Sequence, residues 1–209
     1  DSLSLDLVRA LAESGTRTLT IAPEAGTERL RGVIRKSLSD QRLFEAAELV
    51  AASGVSSVKT YFMIGLPTET AEDIDGIVEL AKAIRHRILR HRRNAQQAVE
   101  VTVGVSSFVP KPWTAFQWCA MADVKTLDAG IQRLGRELRK AGMHFTHDVP
   151  KWAYLQGLLA RGDRRVGQLL RLALKHRGDW KRAFREWPGN GEYYACRERP
   201  LAERFPWDH

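Results

Sequence analysis

The sequence predicts an α/β fold, a partial (β/α) barrel of about four βα units with parallel strands followed by a helical C-terminal region. Three observations predict it. Strand-like stretches begin near residues 17, 57, 99 and 143, at intervals of 40, 42 and 44, and most are followed by apolar residues at helical spacing. Such regular alternation favours parallel strands joined by crossover helices. Beyond Pro150 the alternation stops and only helical patterns follow. Residues 1–148 are therefore expected to form the barrel part, and 149–209 a helical appendage with an irregular tail. Four units fall short of an eight-stranded barrel of ~250 residues, so the outer strands are expected to need cover from other sequence, another domain or another chain.

In order, Leu3, Leu7 and Leu11 mark one face of a first helix that Gly15 ends. Arg17–Ala22 alternates as a strand and runs into Pro23-Glu24-Ala25-Gly26. A short basic helix over Thr27–Lys36 follows. A longer one runs from a Ser39 cap to Ser53, turns Leu43, Ala46, Ala47 and Val50 inward, and stops at Gly54. Tyr61–Thr70, with Val58 before it, reads as a buried strand broken by Gly65-Leu66-Pro67. Thr70 and Asp73 resemble a capping box, and Ile74, Ile77, Val78, Ala81 and Ile84 form the helical stripe beyond it. After a polar link at Asn94–Gln97, Val99–Ser107 is the clearest strand, since its valines alternate with Glu100, Thr102, Gly104 and Ser106. Two prolines in Phe108–Trp113 forbid regular pairing. Leu127, Ile131, Leu134 and Leu138 mark a helix from Asp123, Met143–His147 is a last short strand, and helices follow at Trp152–Arg161, Arg164–His176 and Asp179–Trp187.

With 44% hydrophobic residues the chain can bury a substantial core. No apolar run approaches the ~18 residues of a membrane span, and the first residues lack the basic start and apolar centre of a signal peptide. Cys119 and Cys196 are far apart and in no metal-like spacing. The expectation is a cytoplasmic chain with two free thiols, no metal site of its own and no membrane partner. Because it opens on Asp1 rather than Met, it is also expected to be processed or cut from something longer. A formal net charge of +8 favours anionic partners, with basic runs at Arg85–Arg93 and Arg161–Arg177.

Ligands of parallel sheets bind at the carboxyl ends of the strands. Four stretches stand there: Pro23–Gly26, Gly65–Glu69, Ser106–Trp118 and His147-Asp148. Their carboxylates, glycines, backbone groups and aromatic rings suit an adenosine-like ligand. PEAGTERLRGVIRK, YFMIGLPTET and SSFVPKPWTAFQW, in that order and spacing, closely resemble the fourth to sixth βα units of radical S-adenosylmethionine (radical SAM) enzymes. The nearest likeness is to an uncharacterised branch that often carries an N-terminal cobalamin-binding-type domain, with looser similarity to methylthiotransferases. HDVPKWAYLQGLLARGDRR and RERPLAERFPWDH resemble the C-terminal part of that branch, so the likeness covers nearly the whole chain.

The resemblance implies S-adenosylmethionine and a 4Fe-4S cluster as cofactors, with cobalamin as an optional one. Glu24, next to Gly26, matches the residue that contacts the ribose or amine. Arg35 and Lys36 match places that bind the methionyl carboxylate. Met63 and Gly65 match the adenine strand and its turn, although Tyr61 stands where the family has glycine and Met63 where it has isoleucine. The stretch from Val105 through Ser107 and Phe108 to Val109 matches the strand that brackets adenine. The cluster motif CxxxCxxC is absent, and two isolated cysteines cannot replace it. The chain therefore reads as the C-terminal half of a radical SAM catalytic domain, an Fe-S oxidoreductase or transferase inactive alone. Its partners are the missing N-terminal half, which carries the cluster ligands, and a small-molecule or RNA substrate.

His147 and Asp148 are candidate catalytic groups, or else a structural hydrogen-bonded pair. Glu24 and Glu69 have an alternative as helix-start carboxylates. Trp113, Phe116 and Trp118 either line a substrate mouth or cap the barrel end. Two other classes stay open, an RNA-binding or methylthiotransferase-like α/β module and a non-catalytic scaffold remnant.

Overall fold

The computed structural model describes residues 4–92 and 99–208; Leu3, Arg93, the link at Asn94–Gln97 and His209 lie outside them. The chain divides into two compact units, Asp1–Ser107 with Leu127–Asp148, and Phe108–Thr126 with Val149–His209. No helix among the described residues is long and apolar enough to cross a membrane.

In the first unit the elements alternate: α1 (Leu5–Glu13), β1 (Thr18–Glu24), α2 (Glu28–Val33), α3 (Asp40–Ser53), β2 (Ser57–Ile64), α4 (Ala71–His91), β3 (Glu100–Ser107), α5 (Val124–Lys140) and β4 (His144–His147). Among the described residues four strands form one sheet in the order β1-β2-β3-β4, with every pair parallel. This is the predicted partial barrel architecture. The expected apolar stripes of α4 (Ile74, Ile77, Val78, Ala81, Ile84) and α5 (Leu127, Ile131, Leu134, Leu138) are all buried. Each valine, leucine or isoleucine among them contributes roughly 1.5–3 kcal/mol on leaving water.

Burial alternates along the strands. Val58, Thr60, Phe62 and Ile64 of β2, and Val101, Val103 and Val105 of β3, are buried on the side that the helices cover. The opposite face carries Lys59, Tyr61, Met63, Thr102 and Ser106, and at the edges Thr18, Thr20, His144 and Thr146. Tyr61 on that face is 40% exposed.

Several boundaries differ from the sequence reading. In α1 the buried residue is Val8 while Leu7 is exposed, because contact with α3 selects the neighbouring face. The expected helix to Lys36 ends at Val33, since Arg35 takes a left-handed φ of 57° that no helix continues through.

The second unit holds α6 (Pro150–Arg161), a 3-10 turn at Arg164–Val166, α7 (Gly167–Lys175), α8 (Trp180–Glu186) and α9 (Gly191–Ala195). Its core joins Leu158, Val166, Leu169, Ala173, Ala183, Trp187 and Tyr194. The tail is more ordered than expected. The Asn190 side chain caps α9 by accepting from Tyr193 N–H, and buried Arg199 donates to the carbonyls of Arg161 and Tyr194 at 3.1 Å each.

Candidate functional site

Because all four strands run the same way, their carboxyl ends form one rim. Glu24 stands there at the end of β1. Ile21 pairs with Thr60 but Glu24 with Phe62, so β1 takes three steps to two in β2, a bulge that re-aims the chain at its tip. Glu24 has a φ of 71°, which costs a non-glycine residue about 1 kcal/mol or more. Its Oε1 lies 3.4 Å from Lys36 Nζ. Arg35 and Lys36 line a cleft of about 930 Å³ beside Thr20, Ile21 and Ala22, with Arg42 and Glu45 of α3 across it. Glu24, Arg35 and Lys36 thus gather around one end of β1.

Gly26 serves another purpose. A Cβ there would lie 2.3 Å from the backbone nitrogen of Ile77 and 2.4 Å from the carbonyl oxygen of Asp73, so the loop after β1 rests on the backbone of α4. Gly76 answers it, since a Cβ on Gly76 would meet Thr27 at 2.8 Å.

Met63 and Ser106 are register partners on the sheet face opposite Phe62 and Val105. Beside them the Tyr61 ring lies over Gly104, with Lys59 Nζ 4.7 Å from the ring centre. Gly65 ends β2 with a φ of 77°, and its N–H donates to Glu69 Oε1 at 2.8 Å. Burial pushes the Glu69 carboxyl up to about 7, against the hydrogen bonds it accepts from Gly65 and Leu66. Glu69 therefore binds back onto its own turn.

At the ends of β3 and β4, Asp148 accepts from Ser107 N–H at 2.9 Å and from Ser107 Oγ at 3.0 Å. His147 Nδ1 lies 2.6 Å from the Asp148 carbonyl oxygen, a contact that requires its proton on Nδ1. The Asp148 carboxylate is thus committed to Ser107 rather than to His147. Val105, 3% exposed, belongs to the helix-covered side together with Ser107. Phe108 and Val109 belong to the second unit, where Phe108 packs edge-on against Phe116 at 5.5 Å and Val109 lies against Gly157. In that unit Trp113 is exposed beside Trp207, and Trp118 packs on Phe205.

Sequence reasoning missed the network that carries the rim. Asp73, nearly buried at the start of α4, accepts from Thr27 Oγ1 at 2.5 Å, from Arg29 and from Thr70 N–H at 2.9 Å. Arg29 also reaches the Thr68 carbonyl at 2.9 Å. Burial pushes Asp73 up, but these hydrogen bonds outweigh it and hold the carboxyl below its usual range. Only the Thr70–Asp73 spacing was visible as a signal; the partners Thr27 and Arg29 stand more than forty residues away.

No cluster of three or more His, Cys, Asp or Glu among the described residues is placed to hold a metal ion. Burial raises the Cys119 thiol and pushes Cys196 up to about 12. Two isolated cysteines are fewer than the thiolates that hold a four-iron cluster.

Residues 1–81 match the profile of the Radical SAM superfamily. Over 174 residues, 81% of its length, the chain is 35% identical to an uncharacterized protein of Methanocaldococcus jannaschii. It spans about a third of the length of that relative, 35%.

Proposed function

We propose that this chain is the C-terminal half of a cytoplasmic radical SAM catalytic domain, whose strand ends position S-adenosylmethionine for reductive cleavage by a 4Fe-4S cluster held outside it. The observation that carries this reading is the rim. A bulge-aimed carboxylate with two cations, a left-handed glycine and a serine-bearing strand end stand on three adjacent parallel strands.

The residues of this rim fit S-adenosylmethionine in chemistry. Glu24 accepts hydrogen bonds from ribose hydroxyls or the amine, and Arg35 and Lys36 neutralise the methionyl carboxylate. Gly65 lets the backbone approach adenine closely, and Met63 supplies an apolar contact. Val105 is turned into the core, and its carbonyl oxygen accepts from the Asp148 N–H at 3.1 Å. His147 holds a proton on Nδ1 at the far strand. Bound S-adenosylmethionine supplies the carbon–sulfur bond that is broken. The thiols of this chain do not fit the cluster, so no step is assigned to them.

The test is to express the parent protein with its upstream sequence and record anaerobic iron content and visible absorption with and without S-adenosylmethionine. A four-iron cluster whose spectrum responds to S-adenosylmethionine is expected, and Glu24→Ala is expected to weaken that response while leaving the iron. A folded, iron-free protein overturns the reading. The same preparation tests a further part of it, an upstream cobalamin-binding-type domain, through the absorption of cobalamin itself.

A further inference from the structure

The second unit carries most of the net charge of the chain. Between Arg164 and Trp187 there are eight Lys or Arg side chains and two carboxylates, a surplus of six out of the net +8. The rest of the chain has twenty-five cations against twenty-three carboxylates. This segment is the 3-10 turn, α7 and α8, a helical hairpin whose apolar side forms the core of the unit. Self-repulsion among so many like charges destabilises a fold, so packing gives no reason to gather them here.

Their partners separate them from ordinary solvated pairs. Arg165 pairs with Asp163, and Lys175 and Arg182 share Glu186. Arg164, Arg171, Arg177, Lys181 and Arg185 are exposed, and among the described residues none has a carboxylate ion-pair partner. Arg171 and Lys175 stand one turn apart on α7, and Lys181 and Arg185 one turn apart on α8. On the same side of α7, Leu170 and Leu174 are 47% and 81% exposed. The other basic run differs, because Arg85 donates to the Ala141 carbonyl while Arg87 turns to Glu48 and the Phe44 ring. Arg85 and Arg87 are thus held inside the first unit.

We infer that the α7–α8 hairpin binds single-stranded nucleic acid, with its unpaired cations on the phosphates and its arginine planes and exposed leucines against unstacked bases. Charge complementarity argues for a polyanion. Two neighbouring leucines are too small for the apolar centre of a protein interface, and too few to anchor a helix in lipid. Outward leucines cannot read the donor and acceptor pattern of a duplex groove, whereas unpaired bases present faces to guanidinium planes. The inference is independent of the radical chemistry and needs no cluster.

The experiment measures anisotropy of a labelled, unstructured RNA of about twenty nucleotides with the full chain, across salt concentrations. Binding that weakens steeply with salt is expected. Changing Arg171→Gln, Arg177→Gln and Lys181→Gln together is expected to weaken binding at least tenfold at low salt and to reduce the log–log salt slope by about 2, at ~0.7 per phosphate contact. Leu174→Ser is expected to weaken binding two- to threefold with the slope unchanged. If the triple variant loses its circular dichroism signal, Arg164→Gln with Arg185→Gln replaces it, with a slope change of about 1.4. An unchanged slope in the folded variant overturns the inference. So does equal affinity for duplex DNA, displacement by poly-glutamate at matched charge, or equal retention by anionic vesicles.

Discussion

Glu69 shows how a single residue links the rim to pH. Its carboxylate holds the Gly65 N–H, yet burial makes the charge costly, and the folded group titrates at about 7. In the unfolded chain it titrates near 4.5. The folded state therefore binds the extra proton between those values, and stability from this group is present below about 4.5 and lost as pH rises through about 7. Glu69→Gln keeps an acceptor for Gly65 and removes the titration. Urea midpoints are expected to fall from pH 5 to pH 8 more steeply in the wild type than in Glu69→Gln; parallel profiles would contradict this account.

Between elements, the decisive contact is the one that lays the loop after β1 on α4. Both partners are glycines, Gly26 and Gly76, and the atoms that a Cβ on Gly26 would strike are backbone atoms with nowhere to move. Gly26→Ala is expected to cost about 1–3 kcal/mol or more, lowering the melting temperature by roughly 2–12 °C. Gly104→Ala provides the contrast, because its Cβ meets the Tyr61 ring at 2.9 Å and Thr146 Oγ1 at an ordinary 3.5 Å, and the exposed Tyr61 side chain can turn away. It is expected to change stability by less than about 1 kcal/mol. Thermal melts of the two variants side by side decide the matter. Equal losses would mean that the approach of loop to helix is no tighter than that of ring to strand.

On the scale of the whole molecule, β1 and β4 are the edges of the sheet among the described residues. A free edge invites pairing with a second chain, while a net charge of +8 opposes approach at low salt. The chain alone is therefore expected to self-associate as salt is raised. Thr20→Lys, which places a charge on the β1 edge, is expected to suppress this. Sedimentation velocity checks both, and a wild type that stays monomeric at high salt and high concentration would rule it out.

The alternation of strands and helices was determined by the sequence alone, because hydrophobic periodicity and Gly or Asp punctuation are local signals. The buried stripes of α4 and α5, the parallel sheet and the rim position of Glu24 and Gly65 followed from it. Other features arose only in the folded chain. The side of α1 that is buried depends on α3, which the pattern of Leu7 and Leu11 does not contain. The bulge that sets Glu24, and the Thr27–Arg29–Asp73 network beneath it, depend on pairings across tens of residues. Likewise, only the folded hairpin separates the paired cations of α7 and α8 from those left free. Periodicity reports which residues leave water; which partner each one meets is settled by register and packing between distant segments, and that information exists only in three dimensions.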